Sequence, residues 1–272
     1  MTDTAIRWTK HTWNPLIGCS KEGPECAFCY AETMAIRFGW SKLPWTDRNA
    51  AANVQLRPAR LRDPHKLKPG ARVFVNSMTD LFHAQVPDDY IRQVWDVMCD
   101  LPGLTFQVLT KRSERLAAWP GPWPAHIWAG VTCGTPERWD RIEALQRCPA
   151  QVRWVSAEPL LAPWLPTADL DGIHQVVVGG ESGVHMPRHP ARWMPHAWAR
   201  GIRDLCVQQG VAFFFKQSSA TRTEMGQALE HEDGSLWLWE QYPDDRRAPV
   251  QVTADDPRYR VPAPPRVILP AS

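Results

Sequence analysis

Cys19, Cys26 and Cys29 are three of the seven cysteines, and they fall within one short stretch, Gly18-Cys19-Ser20-Lys21-Glu22-Gly23-Pro24-Glu25-Cys26-Ala27-Phe28-Cys29-Tyr30. Thiolates spaced C-x6-C-x2-C can converge on one soft metal centre, and zinc and iron–sulfur clusters are the usual occupants. Cys26 and Cys29 alone also have the spacing of a thiol redox pair. A third reading makes the cysteines small buried hydrophobes. Lys21, Pro24 and Glu25 are poor material for a core segment, and Gly18 and Gly23 let the backbone wrap tightly around a bulky centre. The stretch opens into Tyr30-Ala31-Glu32-Thr33-Met34-Ala35-Ile36-Arg37-Phe38, which has no helix breaker before Gly39. The N-terminus of such a helix favours anionic thiolates.

Seven further residues with chemical capacity stand at the ends of six short apolar runs. Val73-Phe74-Val75-Asn76 leads to Asp80, Phe106-Gln107-Val108-Leu109 to Lys111, and Ile127-Trp128-Ala129-Gly130-Val131 to Thr132 and Cys133. Val152-Arg153-Trp154-Val155-Ser156 leads to Glu158, Gln175-Val176-Val177-Val178 to Glu181, and Val211-Ala212-Phe213-Phe214-Phe215 to Lys216. Helical stretches around 88–99, 113–119 and 195–209 separate several of the runs. A further helix has Thr135 as its cap, Pro136 in its first turn, and Trp139, Ile142 and Leu145 at helical spacing. Apolar runs alternating with helices predict parallel strands with crossover helices. With a first strand inside residues 1–18, the fold class is α/β, a full or partial (β/α) TIM-like barrel. Chemistry in such barrels sits at the C-terminal ends of the strands, and all six polar strand ends then share one rim with the cysteine loop. Beyond residue 218 the pattern stops. Residues 1–218 are the barrel; 219–272 are an appendage packed on it, with a hairpin turn at Asp233-Gly234 and an extended Pro-rich end from Pro257 to Ser272.

Composition limits the function classes. Hydrophobic content of 44% and charged content of 22% are those of a globular protein. No apolar run approaches the ~18 residues that span a bilayer, and Met1-Thr2-Asp3-Thr4-Ala5 lacks a signal pattern. The expected location is the cytoplasm, where thiols stay reduced, and no membrane partner is expected. The net charge of +2 is unevenly spread. From Arg37 to Arg72 nine Lys/Arg face only Asp47 and Asp63, a local +7, with Trp40 and Trp45 interleaved. From Ser219 onward six Arg face nine Asp/Glu, a local −3. The basic stretch 37–72 suits phosphate contact and equally suits a solvated face.

The cysteine loop between a first strand and first helix, the aromatic Phe28 before the third cysteine, and the partial-barrel pattern to about residue 217 resemble the radical S-adenosylmethionine (SAM) superfamily. Trp13-Asn14-Pro15, Gly18-Cys19 and Cys26-x2-Cys29-Tyr30-Ala31 resemble its phage and bacterial three-cysteine-motif branch. Thr110-Lys111 and the Cys-Tyr-Ala ending are similar to spore photoproduct lyase-like proteins. The spacing C-x6-C-x2-C departs from the commonest C-x3-C-x2-C motif by three extra residues. The resemblance implies that Cys19, Cys26 and Cys29 hold a 4Fe–4S cluster with one open iron, where SAM binds and is cleaved to a 5′-deoxyadenosyl radical. It further implies Tyr30 near the adenine; Asp80, Glu158 and Glu181 as partners of the amino group or ribose; Lys111 or Lys216 on the carboxylate; and Thr132 as a further cofactor-binding residue. Gly179-Gly180-Glu181 resembles the superfamily's amino-group motif, but follows a late strand rather than an early one. Cys133, at a strand end, is a candidate to return a hydrogen atom to a product radical, or else a packed core residue. Cys99, Cys148 and Cys206 read as core.

The implied substrate is a thymine-type nucleic-acid base, DNA held by the basic stretch, with base flipping or a single strand giving access. The implied electron donor is a flavodoxin or ferredoxin. Two alternatives stand beside this reading: a zinc-dependent nucleic-acid-binding module in which His11 or another histidine completes a Cys3His site, and a thiol redox protein using Cys26 and Cys29, with its thiol pKa lowered at the helix start.

Overall fold

The computed structural model describes residues 2–182, 192–220 and 223–256. The expected extended end from Pro257 to Ser272 lies outside them. Strand β1 (Thr2–Asp3) runs antiparallel to β2 (His11–Trp13). A separate two-stranded pair joins β3 (Leu16–Ile17) to β4 (Gln55–Leu56). Between these lie α1 (Tyr30–Arg37) and the single turn α2 (Ala50–Asn53). The repeating part follows as β5 (Arg72–Val75), α3 (Asp88–Cys99), β6 (Thr105–Thr110), α4 (Ser113–Ala117), β7 (Ile127–Thr132), α5 (Asp140–Arg147), β8 (Arg153–Ala157), β9 (Gln175–Gly179), α6 (His196–Gln208) and β10 (Ala212–Gln217).

From β2 to β10 the seven large-sheet strands are all parallel and stand side by side in chain order. Sequential parallel order with helices on one face is the winding of a β/α barrel. The sheet curls into a half-barrel, the partial form of the expected fold. The first strand of the parallel set is β2, His11–Trp13; Ile6-Arg7-Trp8 precedes it as a turn. The helix expected after Thr135 begins as a short 3-10 turn, Pro136–Arg138, and Thr135 makes no capping hydrogen bond.

Side chains alternate across each strand, and the two faces differ sharply. The convex face packs the main core: Val73, Val75, Phe106, Val108, Val131, Val155, Val176, Phe213 and Phe215 meet Ile91, Val94, Trp95, Ile142, Ile202 and Leu205 of the helices. The concave face carries a second cluster of Trp8, Phe74, Trp128, Trp154, Val177, Phe214 and Tyr242. Gly130 makes this cluster possible, because a Cβ there would come within 2.3 Å of the Trp154 indole nitrogen. Two to four residues further along the same strands and the same face come Asn76, Thr132, Ser156, Glu158 and Lys216. The half-barrel is therefore aromatic at its floor and polar at its rim.

The segment after β10 seals the open edge of the sheet. Phe215 donates its backbone N–H to Trp239 (2.9 Å), and Gln241 donates to Phe213 (3.1 Å). The hairpin at Asp233-Gly234 forms as expected, pairing β11 (Leu229–Glu230) with β12 (Leu236–Leu238), and Gly234 takes a left-handed φ of 80°. Strand β13 (Val250–Val252) completes this small antiparallel sheet. Arg7 ties it back to the N-terminus through Glu240 and the carbonyl oxygens of Lys216 and Gln227. No helix among the described residues is long and apolar enough to cross a membrane.

Candidate functional site

The cysteine loop lies across the C-terminal mouth of the half-barrel. Gly18 sets its entry: at φ 88° the chain passes so close to Asn53 that a Cβ would fall 1.9 Å from its carbonyl oxygen. A hydrogen bond from the Gly18 N–H to Met78 fixes this turn to the chain beyond β5. Cys26 ends the 3-10 turn Pro24–Cys26, and Cys29 stands at the N-cap of α1.

The loop has little regular structure, so its carbonyl groups need other donors. Arginines from separate segments provide them. Arg112 donates to Ser20 O (3.2 Å), Arg138 to Glu22 O (3.0 Å) and Arg192 to Pro24 O (3.0 Å). Arg141 pairs with Glu25 at 3.1 Å, and both side chains are almost wholly buried, at 2% and 0% exposure. The same guanidinium donates to the carbonyl oxygen of Thr132, tying the loop to the end of β7. On the far side His83 is bonded to Ser20 Oγ at 3.0 Å. Since Gln85 N–H donates to its Nδ1, the His83 proton sits on Nε2. Burial and the nearby Arg112 push the His83 pKa down to about 4.

Asp80 organises the opposite wall. It accepts from Thr110 Oγ1 (2.6 Å), Phe82 N (3.0 Å), Lys111 N (3.1 Å) and Arg112 Nη1 (2.9 Å). Burial works to raise its pKa, but Arg112 and these donors outweigh it and hold the carboxyl below the ordinary range. The four donors fill the carboxylate's lone-pair positions. Arg112 also reaches the Cys19 sulfur at 3.7 Å. Burial, together with the charge of Asp80, pushes the Cys19 thiol up to about 12. Burial raises Cys29 as well, opposed by the backbone N–H groups of Glu32 and Ala31 at the start of α1 and by the charge of Lys111.

Between loop and strands lies a cavity of about 1160 Å³. Of the residues singled out from sequence, Cys19, Cys26, Cys29, Tyr30, Asp80, Lys111, Thr132, Glu158 and Lys216 all line it. Tyr30 donates its hydroxyl to Ser77 O at 2.7 Å. Glu158 and Lys216 pair at 2.9 Å, and Ser156 donates to the other Glu158 oxygen at 3.1 Å. Two residues fall outside the lining. Glu181 is engaged by the Arg192 backbone and side chain. Cys133 is fully buried in the convex-face core, and its thiol donates to Thr135 O. The alternation of β7 explains this: Thr132 faces the mouth, so its neighbour faces the helices.

All seven cysteines are free. The donor set fits a thiophilic centre, since three thiols open onto one cavity beside a helix N-terminus and an arginine. Among the described residues, however, no group of three or more His, Cys, Asp or Glu is gathered as a metal ion would require.

Sequence reasoning missed Arg112, Arg141, Glu25 and Asn76. Arg112 follows Lys111 directly, and Asn76 ends the apolar run of β5; both signals were local and readable. Arg141 and Glu25 give no such signal, because each looks like an ordinary surface residue until the loop folds over α5.

Neither a curated protein nor a solved structure matches the chain. A family model, described as a protein of unknown function (DUF5131), matches residues 3–243. The match takes in the cysteine loop, every strand of the half-barrel and the edge-sealing residues 239–241, and the chain belongs to this family.

Proposed function

We propose that the chain is a radical SAM enzyme acting on a thymine-type nucleic-acid base. Cys19, Cys26 and Cys29 hold a 4Fe–4S cluster, and SAM and the base share the cavity. The observation that carries this reading is the convergence of three cysteines from one loop and polar residues from five strand ends on a single space. When bound, the cluster supplies the electron that cleaves SAM, received in turn from a flavodoxin- or ferredoxin-type donor.

The chain's own residues do the rest. The arginine bonds hold the loop that carries the three thiols over the mouth of the half-barrel. Arg112 beside Cys19 and the N–H groups at the start of α1 beside Cys29 offset part of the burial that keeps these thiols protonated. The paired Glu158 and Lys216, with Lys111 nearby, suit a ligand carrying both an ammonium and a carboxylate. Among the described residues the Lys111 side chain makes no hydrogen bond, which leaves its charge for a ligand. At about 1160 Å³ the cavity exceeds the volume of a typical single-ligand site, enough for a cofactor and a base together, and its aromatic floor excludes water from beneath.

The basic stretch supports the nucleic-acid part. Arg37, Lys42, Arg48, Arg62 and Lys68 are exposed, and Phe38 and Leu43 are exposed among them. Trp45 is buried and Trp40 half-buried; both line the cavity rather than the outer surface. Phosphates would thus meet the outer cations while an extruded base enters past the tryptophans.

Anaerobic reconstitution with iron and sulfide, followed by electron paramagnetic resonance of the reduced protein, tests the reading. A 4Fe–4S signal that changes on adding SAM is the expected result. One tightly bound zinc and no cluster would replace it with the zinc-module reading.

A further inference from the structure

Asn76 lies at the end of β5, only 3% exposed, and lines the cavity. Its backbone is in the left-handed region, φ 68°, while its N–H still extends the ladder by donating to Trp13 O at 2.8 Å. Both side-chain polar atoms, Nδ2 and Oδ1, are buried without a hydrogen-bond partner. A buried amide left unpaired at both ends costs free energy. Residues held in sparsely populated backbone regions cluster at functional sites.

Asn53, equally buried, shows what the fold does with an asparagine it uses for structure. Its Oδ1 accepts from Ser41 at 2.7 Å and its Nδ2 donates to Pro44 O at 3.1 Å. Asn14, on the same cavity wall as Asn76, is satisfied at both ends too, by Ser77 and Met78. Asn76 alone of these three keeps its donor and acceptor open, and it does so above an aromatic floor. Phe74 precedes it by two residues on the same face of β5. Trp8 packs on Phe74 with ring centroids 4.7 Å apart, and both rings line the cavity.

We infer that Asn76, above Trp8 and Phe74, is the base-reading residue of the substrate site. Its amide pairs with the donor–acceptor edge of an imide base of the thymine type, while the floor covers the ring. The inference rests on the nucleic-acid reading proposed above. An amide matches such an edge directly: Oδ1 accepts the ring N–H, and Nδ2 donates to the neighbouring carbonyl oxygen. The adenine of SAM offers an edge of the same general kind, so the test separates the two.

The experiment is equilibrium dialysis of the metal-free protein against thymidine, N3-methylthymidine, adenosine and SAM. Binding is thus read without a cluster, and failure of the radical chemistry is distinguishable from failure of this inference. The wild type is expected to bind thymidine ~10-fold or more tightly than N3-methylthymidine, which lacks the N–H. Asn76→Asp keeps the shape, and Asn76→Gly accepts the left-handed backbone; each is expected to weaken thymidine ~10-fold or more and to leave adenosine unchanged. Equal binding of the two thymidines, or no thymidine binding, would overturn the inference. So would variants that weaken only adenosine and SAM, which would give the residue to the cofactor. Should either variant fail to fold, the contrast between the two thymidines in the wild type decides.

Discussion

Two carboxylate–cation pairs flank the cavity, and they have opposite surroundings. Glu25 and Arg141 are sealed between the loop and α5, with Arg141 also on the carbonyl of Thr132 and Glu25 accepting from Gly134 N at 3.2 Å. Glu158, just beyond β8, and Lys216, on β10, pair across the end of the intervening β9 and line the open space. The chemistry of pairing is the same, but the first pair has no room for a third partner other than protein, whereas the second faces a ligand's volume. Position relative to the cavity therefore separates a group that holds the loop from a group that can hold a ligand.

The sharpest way to break this comparison is Arg141→Met. It strands Glu25 in the core and should cost about 3–5 kcal/mol by denaturant unfolding. The double change with Glu25→Gln should recover most of that, and a single-variant loss below about 1 kcal/mol would make the pair dispensable.

Next in size is an acid effect on the loop side. His83 is held neutral, with its pKa lowered to about 4 from an ordinary 6.5. The unfolded chain therefore takes up this proton first as pH falls. The stability that neutral His83 supplies is present above pH 6.5 and is lost between 6.5 and about 4, by about 2 kcal/mol allowing for screening. In His83→Gln, thermal melts across that range should be flatter by this amount; an unchanged pH profile would sink the idea.

Glu158→Gln should change stability by no more than about 1 kcal/mol, yet weaken SAM binding at least ~10-fold in dialysis. A large stability loss with binding intact would erase the distinction between the pairs. The smallest stability effect belongs to the outer surface. Arg37→Gln/Lys42→Gln/Arg48→Gln should melt as the wild type does while reducing the salt slope of single-stranded DNA binding by about 2. An identical slope would make the basic stretch a solvated face.

The parallel order, the rim and the cavity were legible because strand ends and apolar runs are local patterns. Helix α3 matches the sequence reading residue for residue, since its apolar spacing is clear and Pro87 marks its start. What escaped was long-range. Nothing near Arg141 in sequence tells that Glu25 will arrive. Of the two readings open for Cys133, a mouth residue or packed core, strand parity selects the core. Sequence alone points to Asp80 as a cofactor acceptor, yet four donors of its own chain occupy it. The sheet-edge role of Trp239-Glu240-Gln241 was equally invisible, because edge pairing depends on which strand ends up last.

That edge seal bears on the order in which the molecule can be assembled. Arg7 reaches Glu240 across 233 positions, and Tyr242 donates its hydroxyl to Arg7 O at 3.2 Å while its ring completes the aromatic floor. A chain emerging from its N-terminus must therefore wait until nearly all of the matched region has been made before the floor closes. Contacts of such sequence separation are slow to form. Until then β10 presents an unpaired edge open to other chains, so the last residues of the family match act as the protein's own guard against association during synthesis.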